Sequence, residues 1–408
     1  MGSDEFVANY VKKELLPITS RVTQKLIDFE DCQAAMYLLR LSFGIVRATH
    51  FMRTTPLSQW SEHAKEFDLV IRSATEDIIK RKMTDEAYDQ ASVSTRFGGL
   101  GIRRIMDHGP VAFTASWHCS RGQAKERWLW VWPEPAPLHF SQRLASEEVD
   151  RGILTRLITN GSDRDKQRLR RSDCEHANSW ITALPSVSDG CDTVLSPKVF
   201  TTAVARLLGL PVFSQSIPCP RCTQTMDTWG DHAFCCKKTQ DTIVRHNRLR
   251  NWVYKLGQVA QMNPDMEKLG ILGPTDSSKR RPGDVSFPNW RSSRGLAIDV
   301  AVICPLVTSH LNEETPCESY AVNQKHHRYD ASFKNSRYDF IAMVFETSGA
   351  VNEEGMNIMR QLIRMASHHE KVGNSSYAGR AWSRVQCCIQ SSAAQAILNR
   401  EYDCVDVV

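Results

Sequence analysis

The segment PCPRCTQTMDTWGDHAFCCKKTQDTIVRHN, Pro218–Asn247, puts four cysteines and two histidines into thirty residues. A stretch this short cannot bury a core of its own, so its fold depends on whatever those side chains bind. Cys219 and Cys222 form C-x2-C on a proline-containing turn, the spacing that lets two thiolates converge on one tetrahedral ion. His232 follows ten residues after Cys222, and Cys235 and Cys236 stand within the next turn. Cys219, Cys222, His232 and Cys236 would close a structural zinc site, with Cys235 as the substitute for the fourth position. Such an ion would contribute folding energy and offer no open coordination position. The plainer reading is that buried cysteines pack as small hydrophobes. The chain carries thirteen cysteines, an odd count, and its start, MGSDEFVANYVKKELLP, lacks a positive region followed by an apolar run. Both features favour a reducing, intracellular compartment and free thiols over disulfides.

At 408 residues more than one domain is expected, on the usual prior of ~150 residues per domain. Hydrophobic residues at 41% and charged residues at 24% are globular values, and no stretch approaches the ~18 consecutive apolar residues of a membrane helix. A net charge of +5 is weak evidence for a polyanionic partner, but basic residues cluster in RDKQRLRR (164–171), SSKRRPGD (277–284) and RHNRLRNW (245–252). Any one of these could equally be a solvated face.

Along the chain, Phe6 to about Lys82 reads as helical, with Ala34, Leu38, Leu41 and Ile45 at four- and three-residue spacings and Pro56 as a stop. Gly98-Gly99-Leu100-Gly101 turns into a helix over 105–117, interrupted near Gly109-Pro110. WLWVWPEPAPLH (128–139) reads as an extended linker, and helix resumes over 147–184. Ser196 and Pro197 mark a cap and first position for a further helix. After the Cys/His cluster the texture changes: helix over 241–257, strand-like runs GDVSFPNW and GLAIDVAVICP, helix in SYAVNQKHHRYDASFKN, strand in YDFIAMVFETSG, and an amphipathic helix over 354–368. This is an α/β layout around a small mixed sheet.

Asp299 sits inside the apolar run LAIDVAVICP, where an ionised carboxylate is costly without compensation, and Asp284 precedes the neighbouring strand. A divalent cation, Mg²⁺, would compensate both, and metal-assisted phosphodiester hydrolysis needs such an ion beside a further cation. Lys325 and Tyr329 lie one helical turn apart and face the same side. The bland alternatives are a surface helix for that pair, and an arginine partner, Arg281 or Arg294, for the acid.

Taken in order, CPRC…GDHAFCC, RHN, RPGD…LAIDV and KHHRY resemble the C-terminal part of site-specific non-LTR retrotransposon proteins, and LLRLSFGIVRATHFMRTTP with GGLGI is similar to their thumb and linker. The resemblance implies an α+β multidomain chain: helical thumb-like region 1–125, helical linker 126–210, CCHC zinc knuckle 211–240, restriction-like endonuclease of the PD-(D/E)xK type 241–375, and a C-terminal helix or tail 376–408. It implies Asp284 and Asp299 as Mg²⁺-binding catalytic acids, Lys325 as a catalytic lysine displaced onto the helix, and Tyr329 as its neighbour. Glu346 becomes a further candidate near the site, and Arg245 and His246 candidate contacts to the DNA backbone; the basic run Lys279, Arg280 and Arg281 would hold the backbone as well. No Asp-Asp dipeptide of a polymerase palm occurs, so a separate reverse transcriptase is an expected partner, with DNA and element RNA, in the nucleus. The rival expectation is a non-catalytic nucleic-acid-binding or interaction protein that keeps the fold and the zinc.

Overall fold

The computed structural model describes residues 4–128, 141–186, 192–236, 238–272, 281–291 and 293–405, with side chains of 4, 121–128 and 401–405 excepted. The linker expected at 128–139 falls almost wholly outside these residues, as do Lys279 and Arg280. The architecture is α+β, mostly helical, and the chain forms two compact units, Met1–Asn160 and Gly161–Val408. The division therefore comes after the Gln142–Asn160 helix, which belongs to the first unit and not to a linker region beginning at 126. The Cys/His segment, the sheet and the C-terminal helix belong to one unit.

The first unit is helical throughout its described regular structure. Its buried stripe over 32–39 is Cys32, Ala35, Met36 and Leu39, not the expected set, and Leu41 is exposed. The helix starts at Asp31, whose carboxylate accepts from the Ala34 N–H at 3.0 Å. Burial is thereby shifted relative to the spacing read from Ala34. Pro110 does not interrupt the Ile105–Trp128 helix. The start of that helix is capped from another element: Asp68, buried on the Ser61–Ile79 helix, accepts from the N–H groups of Ile105 (2.8 Å) and Met106 (3.1 Å). Gly98 and Gly101 take positive φ in the turn before it, and a Cβ on Gly99 would stand 2.1 Å from the Val93 carbonyl oxygen.

Burial pushes the Asp68 carboxyl up to about 6, against the lowering effect of its two backbone hydrogen bonds. The folded unit thus holds the proton more tightly than the unfolded chain, whose aspartates titrate near ~3.9. Stability is expected to fall as pH rises from about 4 to about 6 and then to level off, by at most roughly 3 kcal/mol. Denaturation midpoints across that window check this: Asp68→Asn should flatten the slope, and identical slopes in both proteins would remove Asp68 as its cause.

In the second unit the helical stretch expected over 147–184 is broken at Gly161, where Ser162 caps a new helix, Asp163–Ser172, by accepting from Asp165 N–H at 3.1 Å. Ser196 does occupy the position before the Pro197–Leu207 helix, but its hydroxyl makes no capping bond. Two strands, β1 (Ile217–Pro218) and β2 (Thr225–Met226), form a small antiparallel hairpin. After the Asp241–Val259 helix come β3 (Asp265–Met266), β4 (Val285–Arg291), β5 (Arg294–Ile303) and β6 (Tyr338–Glu346), in sheet order β3-β4-β5-β6. The first two pairings are antiparallel and β5–β6 is parallel, crossing over through the helical run 316–333.

Alternation along β5 settles which residues face what. Leu296, Ile298 and Val300 point into a core with Val285, Phe287, Met343 and Phe345, covered by helices Asp241–Val259, Glu353–His369 and Asn374–Val405. Ala297, Ala301 and Ile303 point to the opposite face, under the 316–333 run, with Ala342 and Val344 of β6. Asp299 lies in this second row, on a line otherwise made of small and apolar side chains.

Candidate metal cluster and acidic site

The ligand atoms of Cys219, Cys222, His232 and Cys236 all lie within 4.8 Å of one another. A tetrahedron with ~2.3 Å metal–sulfur bonds has edges of about 3.8 Å, so this donor set can hold a metal ion. Cys222 Sγ is 3.1 Å from His232 Nε2. The hairpin β1–β2 presents the C-x2-C turn, with Cys219 N–H donating to the Gln224 carbonyl at 2.8 Å, and a short helical turn, Asp231–Phe234, presents the histidine. The choice between the adjacent cysteines is decided by direction: Cys236 is buried and its thiol lies among the other ligand atoms, whereas Cys235 is exposed and its thiol donates to the His232 carbonyl at 3.5 Å. Burial raises the Cys219 thiol, but the backbone amides of Arg221 and Cys222 outweigh it and hold the group below its ordinary value.

Arg400, fully buried on the C-terminal helix, was not singled out by the sequence. Its pKa is pulled down by burial, yet hydrogen bonds to Cys236 and Asp241 outweigh this and raise it. Arg400 Nη1 donates to Asp241 Oδ2 at 2.9 Å, placing a positive charge behind the thiols. Phe234 packs under the Arg206 guanidinium at 4.2 Å, and Arg164 pairs with Asp231 at 2.6 Å. The cluster is thus tied into its unit by three arginines.

The acidic residues meet across β4 and β5. Val285 pairs with Ile298, and one step further Asp284 N–H donates to the Ile298 carbonyl at 2.8 Å, which sets Asp284 opposite Asp299 on the same face. Asp284 Oδ2 accepts from Val300 N–H at 2.7 Å, and Oδ1 lies 3.2 Å from His246 Nε2. Asp299 is 8% exposed, and its oxygen is met by the Lys325 ammonium. Burial raises the Asp299 pKa; Lys325 opposes this and the Asp284 charge adds to it. For Lys325, burial acts downward but the Asp299 carboxylate outweighs it, raising the pKa. Lys325 belongs to a π-helical segment, Ala321–His326, within the 316–333 run, a widened turn of the kind that re-aims side chains. Its neighbour His326 is clamped between Asp330 (2.8 Å) and Glu354 (2.7 Å), which fixes this turn on the Glu353–His369 helix. Tyr329 is half-buried against Phe340, ring centres 5.2 Å apart, on the same sheet face as Asp299.

Other expected residues are placed differently. Arg245 is 3% exposed and donates to the Phe234 carbonyl at 3.2 Å, so its guanidinium is internal and does not face a ligand. Glu346 is fully buried in a two-bond pair with Arg171, both at 2.9 Å, and also accepts from Cys317 N–H; it is a structural ion pair, four residues along β6 from the level of Asp299. Arg281 pairs with Glu267 at 3.0 Å and Arg294 with Asp339, so neither compensates Asp299. Three cations of the basic run 164–171 are likewise taken up within the fold, Arg164, Arg168 and Arg171 pairing with Asp231, Asp165 and Glu346, while Arg170 is exposed. No helix among the described residues is long and apolar enough to cross a membrane. No protein-family model matches the chain, and no curated protein matches it significantly.

Proposed function

We propose that this chain is a magnesium-dependent DNA endonuclease with a restriction-like core of the PD-(D/E)xK type and a zinc-stapled knuckle. The observation that carries the reading is the cross-strand placement of Asp284 and Asp299 on one sheet face, with the Lys325 ammonium on the second acid. The donors suit a hard cation, being oxygen throughout, and a buried carboxylate whose ionisation is opposed by burial gains from one. When bound, magnesium would polarise the scissile phosphate and lower the pKa of the attacking water. Asp284 and Asp299 would hold it. Val300 N–H and His246 fix the orientation of Asp284, and Lys325 supplies positive charge where the phosphate becomes more negative. Tyr329 flanks that position. At the knuckle, the three thiolates and one imidazole are the donor set of a closed structural zinc site. A DNA substrate implies a nuclear location, and copying of element RNA would fall to a separate reverse transcriptase.

A second reading, a nucleic-acid-binding protein that no longer cleaves, is favoured by one feature: Lys325 pairs directly with Asp299 and so neutralises it without a metal ion. Incubation with supercoiled plasmid separates the two. Conversion to open circles that requires Mg²⁺ is the expected result; retained binding with no conversion selects the second reading.

A further inference from the structure

Three basic residues for which no carboxylate partner is found among the described residues line one groove of the second unit. The Asp241–Val259 and Asn374–Val405 helices run antiparallel: Asp241 meets Asn399 and Arg400, Arg248 donates to Ser392 at 3.1 Å, and Trp252 and Leu256 face Ala381. At the far end of this seam opens a groove of about 550 Å³ floored by Trp252, Leu256 and Ala381. Its rim carries Lys255, Arg380 and Arg384, against a single acid, Glu370. Elsewhere in this unit arginine after arginine is consumed by a carboxylate, as at positions 164, 168, 171, 250, 281 and 400. No ion pair involves any of the three rim cations among the described residues, although Glu370 is close enough to share their groove. Tyr377 lines the same groove half-buried, with the Arg380 guanidinium 5.9 Å from its ring centre.

We infer that this groove binds single-stranded DNA, its phosphates on Lys255, Arg380 and Arg384 and a base on Tyr377. Uncompensated cations in a concave track beside an aromatic platform are what a strand without sequence preference uses, and an acidic peptide has no need of the ring. The cations continue along the seam: Arg248 lies two turns before Lys255 on the same helix face, and Lys238 lines a second depression at the other end, which Asp241 shares. The helix between is ~28 Å long at 1.5 Å per residue, long enough for several nucleotides. His246, which reaches Asp284, leaves this helix about 160° away from Arg248 at 100° per residue, so the groove is a site separate from the acidic pair. The inference rests on the nucleic-acid part of the proposed function and not on cleavage.

Fluorescence anisotropy of a labelled oligothymidylate, titrated with the full chain in zinc-containing buffer without magnesium, tests it. Arg380→Gln with Arg384→Gln is expected to weaken binding about tenfold or more and to reduce the slope of log K against log salt by about 1.4, at ~0.7 per phosphate contact. Lys255→Gln should reduce it by about 0.7, and Tyr377→Leu should weaken binding severalfold with the slope unchanged. Lys12→Gln with Lys13→Gln, exposed residues of the first unit, removes equal charge and should leave binding intact. Unchanged affinity in the groove variants, an equal loss in the control, or competition by polyglutamate or duplex DNA as effective as by the unlabelled strand would overturn the inference. Absence of plasmid nicking with groove binding intact would count against the nuclease reading alone.

Discussion

Asp299→Asn is expected to lower plasmid nicking by about 10³-fold or more, because in the proposed nuclease the carboxylate it removes would hold the cation, and it is the partner of the Lys325 ammonium. The same change should cost stability. Lys325 would keep a charge at a position only 18% exposed, with no carboxylate opposite it. Breaking a fully buried pair costs ~3–5 kcal/mol, and the residual exposure of this one places the expected loss near about 2 kcal/mol. The double variant Asp299→Asn with Lys325→Met separates the two effects. It removes both charges from the sheet face, so its melting temperature should return towards that of the unsubstituted protein while nicking stays absent. Wild-type nicking by the single variant, or recovery of nicking in the double variant, would exclude Asp299 from the chemistry. Recovery of stability without activity is the pattern that a purely structural ion pair cannot give.

The parts of this arrangement that were legible in the sequence are those fixed by local chemistry. C-x2-C with a following histidine and cysteine pair constrains four ligands to converge whatever surrounds them, and they do. An aspartate in the middle of LAIDVAVI has to lie beside something that tolerates its charge, and alternation put it on the face under the 316–333 run. What sequence could not supply was the partner of each basic residue. Arg245 looks like its neighbours in RHNRLRNW, yet one falls into the interior while Arg250 pairs with Glu267 at the surface edge. Glu346 sits in a strand with the same pattern as Asp299, and only the arrival of Arg171 from 175 positions away makes it structural. Arg400 gave no signal at all, because the C-terminal helix is buried on several sides and shows no clear polar face from which a buried arginine would stand out. The edge strand β3 is two residues long, too short for any periodicity to register.

The second large effect is expected at the cysteines, and it discriminates between adjacent residues. With zinc held as proposed, Cys236→Ser should lose the metal and destabilise the Gly161–Val408 unit by several kcal/mol, a fraction of the ~10 kcal/mol or more that zinc contributes in small metal-dependent folds. The loss is a fraction because this segment is not on its own. Phe234, Ala233 and Met226 pack against Ala393, Ala396 and Ile397 of the C-terminal helix, and Arg164 and Arg206 hold Asp231 and Phe234 from two further helices. The surrounding unit should therefore survive metal loss with a lower melting temperature, while the 217–236 segment itself becomes open to proteolysis. Cys235→Ser, one residue away, should retain one zinc per chain and melt as the unsubstituted protein does, because its thiol points to a backbone carbonyl and away from the cluster. Metal content by elemental analysis and thermal melting of both variants decide the matter. Equal zinc loss in the two, or full zinc retention by Cys236→Ser, would dissolve the four-ligand assignment, since only a cluster that uses Cys236 alone predicts so sharp a contrast between neighbours.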